Sequence, residues 1–123
     1  MASIKTGAIV VSWGSAIPAR EQRARAVLAD VLGFAGRLHN AGRVDEVRLF
    51  SAATGTNRET LMLSGALDEL AVLLVDDQLE AHVQDLMMVV SNLDIALWAG
   101  GSPESLRGGL ELHARKLVDH GLV

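Results

Sequence analysis

The sequence predicts one α+β domain spanning residues 1–123, built as strand–helix–strand–strand–helix–strand with one further helix at the C-terminus. Three observations carry this. Short β-branched or aliphatic runs with period two alternate with longer segments whose apolar residues recur at three and four. Glycines stand where one kind of segment gives way to the other. At 123 residues, half of them hydrophobic, the chain suits one core and leaves little room for two.

The first strand is Ala8–Trp13, β-branched and closed by Gly14. Pro18 is expected in a first helical turn, where its missing N–H costs little. From about Ala19 to Ala41 a helix is expected, with Ala24, Val27, Leu28, Val31, Leu32, Ala35 and Leu38 on one side. Gly42 suits the left-handed residue that ends it. Val44–Ala53 forms the second strand, and polar Thr54–Arg58 turns the chain into a third strand, Glu59–Ser64, closed by Gly65. A short helix follows over Leu67–Leu74. Asp76-Asp77 then interrupts it or starts a second piece, which continues to about Val90. The fourth strand is Leu93–Trp98, ended by Gly100-Gly101. Ser102-Pro103-Glu104 opens a last helix that runs to about His120 and stops at Gly121. Gly108-Gly109 weakens that helix by about 1 kcal/mol per glycine relative to alanine, so it needs packing to hold it. This order is the split βαβ arrangement of ferredoxin-like βαββαβ sandwiches, with an extra C-terminal helix.

Alternation divides the strand residues between two faces. Ile9, Val11, Trp13, Val47, Leu49, Leu61, Leu63, Leu93, Ile95 and Leu97 form an aliphatic set that belongs under the helices. The opposite set is mixed: Ser12, Arg48, Thr60, Ser64 and Asp94 stand among Val10, Phe50, Met62 and Trp98. So much apolar area is not left in water, and a second sheet packed against it implies a homodimer. The alternative is that the last helix covers this face within one chain.

Composition excludes several classes of function. A net charge of −4 and arginines broken up by acidic residues argue against nucleic acid. No cysteine means no disulfide, no thiolate chemistry and no cysteine-bound metal. No apolar run approaches the roughly 18 residues of a membrane helix, and Ile17-Pro18-Ala19 is a poor signal-cleavage site, so a cytoplasmic protein without membrane partners is expected. The histidines and carboxylates show no metal-ligand spacing, and neither metal nor cofactor is expected.

Several stretches taken together resemble a known superfamily. They are Val10-Val11-Ser12-Trp13-Gly14, Arg20-Glu21 opening the first helix, and Leu38 through Gly42-Arg43-Val44. Ser64-Gly65-Ala66-Leu67-Asp68-Glu69-Leu70, the Asp76-Asp77 step and the Gly101–Leu106 entry to the last helix complete the set. On these the chain resembles the dimeric α/β-barrel superfamily and, within it, an uncharacterised bacterial group. The resemblance implies a dimeric α/β barrel. Members include cofactor-free oxygenases of phenolic polyketides, haem-degrading oxygenases and small isomerases. The haem degraders use an Asn on strand one, a Trp on strand three and a His on a helix. Here strand one has no Asn, strand three offers Met62, and only His82 matches loosely.

His82, at the edge of the second helix's apolar side, is the best candidate proton carrier, since imidazole titrates near neutrality. Asp94, on the mixed face, is a second acid–base candidate, with a salt-bridge role as the alternative. His113 shares a side of the last helix with Leu106, Leu110 and Leu117 and reads as an interface or packing residue. Trp13, His82, Trp98 and Met62 are the candidate ligand-binding residues: indole faces for stacking, a thioether, and an imidazole for a hydrogen bond. Trp13 at the end of its strand could instead plug the core. The expected function is binding of a small organic molecule by a homodimer. The alternative is a cofactor-independent monooxygenase or isomerase acting on a small cyclic or aromatic substrate.

Overall fold

A computed structural model describes residues 5–52 and 58–123. Its elements are β1 (Thr6–Trp13), α1 (Glu21–Asn40), β2 (Glu46–Ser51), β3 (Glu59–Ala66), α2 (Leu67–Leu74), α3 (Asp77–Met87), β4 (Asp94–Ala99) and α4 (Pro103–Asp119). The strands form one antiparallel sheet in the order β2-β3-β1-β4. This is a small α+β domain compatible with a ferredoxin-like fold, and β2 and β4 are its edges.

The aliphatic strand face lies under α1, α2 and α3 as alternation requires. Ile9, Val11, Trp13, Leu61 and Leu63 meet Val27, Val31, Phe34 and Leu38 of α1, Leu70 and Leu73 of α2, and Leu79 and Leu86 of α3. Leu49, also placed on that side, remains largely exposed on the edge strand β2.

Helix ends follow local chemistry. α1 closes in a Schellman motif: Gly42 has φ of 74°, its N–H donates to His39 O, and Arg43 N–H donates to Leu38 O. The Asp76-Asp77 step begins a separate helix, because the Asp76 carboxylate accepts from Gln78 N–H at 2.8 Å and Leu79 N–H at 3.2 Å. α3 ends at Met87, short of the expected Val90, and Val90 instead bridges Ala16. Pro18 lies ahead of α1, not in its first turn, because Ala19 at φ of 71° breaks the helical path before Glu21. β3 continues through Gly65, which sits opposite Gly7. The expected second strand is shorter at both ends, and its last residue, Ala53, lies outside the described residues along with Thr54–Asn57.

α4 is set apart. It starts after Gly100 and Gly101, with φ of 123° and 129°, and ends in a second Schellman motif at Gly121. Among the described residues it makes only marginal contact with the other elements. Leu106 and Leu110 stay 53% and 60% exposed, so α4 does not cover the mixed sheet face within the chain.

Candidate functional site

The face of the sheet away from α1, α2 and α3 is organised in three cross-strand rows. Arg48, Met62, Val10 and Ala96 form the middle row; Phe50, Thr60, Ser12 and Asp94 lie on one side of it. On the other side stand Glu46, Ser64, Ala8 and Trp98. Val10 is buried by its neighbours on the central strand, whereas Phe50 and Trp98 are 50% and 58% exposed.

A bowl of about 520 Å³ opens over the Glu46–Trp98 row. It exists because β1 contributes small residues there, Thr6, Gly7 and Ala8, between the larger Met62 and Trp98. Asp45, Glu46 and Arg48 form one rim, and the Gly100-Gly101-Ser102 turn forms the other. That turn is tied to β1: Thr6 Oγ1 donates to Gly100 O at 2.9 Å, and Gly100 N–H donates to Thr6 O at 2.8 Å. Arg48 donates from Nε to Glu46 Oε1, two residues away on the same face, so this ion pair sits inside the site. The bowl therefore offers an indole face, a thioether, hydroxyls and a guanidinium–carboxylate pair. These groups can stack on, and hydrogen-bond to, a planar molecule.

The sequence candidates divide between the two sides of the sheet. Met62 and Trp98 meet in this bowl. Trp13, only 3% exposed, is part of the core, and its outer edge borders a separate depression of about 250 Å³ with Glu21, Arg25 and Arg58. His82 is half-buried between α1 and α3, its ring stacked on Phe34 with centroids 4.7 Å apart. The apolar gap beside it is about 20 Å³, room for little more than a water. Trp13 and His82 thus border different spaces. Asp94 lies on the bowl's face but four residues along β4 from Trp98, about 13 Å away at strand spacing.

Glu46, Ser64 and the Gly100–Ser102 turn were not singled out from the sequence. Alternation already placed Ser64 on the mixed face, and Glu46 follows from Arg48 by the same rule. The turn carried no such signal, because only tertiary pairing brings it beside β1. Among the described residues no three metal-ligating side chains gather. No helix among them is long and apolar enough to cross a membrane. Comparison with known proteins finds no protein-family model, no curated protein and no solved structure that matches this chain.

Proposed function

We propose that the protein is a homodimeric small-molecule-binding domain of the dimeric α/β-barrel kind, with a planar organic ligand seated in the bowl on the open sheet face. The observation that carries this reading is the bowl itself: about 520 Å³, within the range of small-ligand sites, and lined by Trp98 and Met62 beside the Arg48–Glu46 pair. Trp98 supplies a stacking surface, and the charged pair and Ser64 supply orientation. Binding is favoured over catalysis because His82 and Asp94, the acid–base candidates, lie outside the bowl's lining. The dimer is supported by Phe50 and Trp98, aromatic groups left open on the same face.

A thermal-shift screen of planar organic compounds tests the ligand, followed by titration of the hit against Trp98→Ala and His82→Ala. Trp98→Ala is expected to keep the fold and lose binding, while His82→Ala binds as the wild type does. No stabilising compound, or a hit that Trp98→Ala binds unchanged, rejects the site. Sedimentation equilibrium at micromolar concentration is expected to give twice the 13.1 kDa chain mass.

A further inference from the structure

Among the described residues α4 draws little packing from its own chain: Gly108 is buried and Leu112 and Leu117 are half-buried, and the rest of its apolar residues are exposed. It carries Gly108 and Gly109, which lower its intrinsic stability, and it makes only marginal contact with the other described elements. Helices of this length in water depend mainly on tertiary packing of an apolar face. α4 has such a face: Leu106, Leu110, His113 and Leu117 fall within about 60° of one another at helical spacing. Leu106 and Leu110 are nevertheless in water. Among the described residues a second apolar surface stays open, the sheet face with Phe50, Met62 and Trp98.

We propose that α4 is exchanged between two copies of this chain, each α4 lying on the second copy's open face and roofing its bowl. The inference rests on the homodimeric reading above. Area supports it. Four strands at sheet spacing, six residues long at the edges, present a footprint of about 400 Å². That is about half of the ~800 Å² per partner of a standard stable interface. The 17 residues of α4, about 25 Å long and 10 Å across, add about 250 Å². Connectivity supports it as well. Within one chain Glu46 of β2 and Trp98 of β4 stand on the same row at opposite sheet edges. With β4 of one copy antiparallel to β2 of the other and in register on this row, α4 would emerge at the Asp45–Glu46 rim of the second bowl. The bowl also needs a cover, because small-ligand sites bury most of the ligand surface and this one is open above the sheet. The roofing stripe brings His113 to a bowl whose own described lining holds no imidazole.

The natural chain has no cysteine, so Leu110→Cys accepts a single benzophenone maleimide. Unlabelled and 15N-labelled copies of that variant are mixed, illuminated and digested. The expected result is crosslinks from α4 to β2, β3 or β4, with mixed-isotope pairs as abundant as matched ones. In parallel, Leu106→Glu/Leu110→Glu is expected to sediment as a monomer at concentrations where the wild type is a dimer, with a far-ultraviolet circular dichroism loss no larger than the 17 residues of α4 account for. A dimer that survives the double substitution, or crosslinks confined to single chains, overturns the exchange of α4 and leaves the homodimer standing. A wild type that sediments as a monomer rejects the homodimer and the exchange with it.

Discussion

Replacing Gly7 by alanine tests the close approach of β1 and β4 on which the bowl depends. Gly7 is buried opposite Gly65 on one side and Ala99 on the other. A Cβ there would overlap the carbonyl oxygen of Trp98 and stand 2.8 Å from Leu67 Cδ1. The leucine tip can rotate away, but the carbonyl is backbone. Its strand is held to β1 by the paired hydrogen bonds between Thr6 and Gly100. Relief therefore requires moving β4 outward. Overpacking of this kind costs about 1–3 kcal/mol, and a backbone obstacle puts the loss near the upper end. At this chain length about 3 kcal/mol corresponds to a fall of roughly 10 °C in Tm. The matching control is Gly36→Ala. Gly36 lies within α1, and an added Cβ meets nothing within 4 Å. That substitution should stabilise by about 0.5–1 kcal/mol. Thermal and urea unfolding of both variants, monitored by circular dichroism, gives the comparison. A Gly7→Ala protein within about 0.5 kcal/mol of wild type, the usual range of harmless substitutions, would refute the close contact.

Trp13→Ala removes a buried indole and is expected to lose about 3–5 kcal/mol in urea unfolding, as large core truncations do. A loss below about 1 kcal/mol would mean that Trp13 is not part of the core. Asp76→Ala removes the side-chain cap of α3 and its 3.8 Å ion pair with Arg43, and should cost about 1 kcal/mol. The more conservative Asp76→Asn should recover most of that loss, since asparagine caps as well as aspartate; equal losses in the two would argue against a capping role.

Much of the fold was legible because period two and period 3.6 place apolar residues on different geometric tracks. Ile9, Val11, Leu61 and Leu63 announced the helix-facing side of the sheet, and the structure buries all four. Gly42 announced the end of α1 because it occupies a backbone conformation that side chains disfavour. Boundaries were less legible. α3 stops at Met87 although Val90 continues the apolar spacing, because Val90 is recruited into a bridge with Ala16, 74 residues away in sequence. The site was legible in part. Met62 and Trp98 were placed on one face by parity, and they meet in one bowl. Trp13 ends a strand and His82 edges a helix's apolar side, positions that spacing alone does not assign to a cavity or to the core. Helix packing turned His82 onto Phe34 and sealed Trp13 into the core.

By itself the sequence determined the α+β class, the order of the elements and the two-faced character of the sheet, since these follow from side-chain spacing and backbone preference within short windows. Only the tertiary structure decided where a ligand could sit. The bowl is made by Glu46, Ser64, Ala8 and Trp98 lining up across four strands, with the Gly100–Ser102 turn tied to Thr6 as its wall. That alignment depends on register between segments up to 94 residues apart, and no local pattern in the chain encodes it.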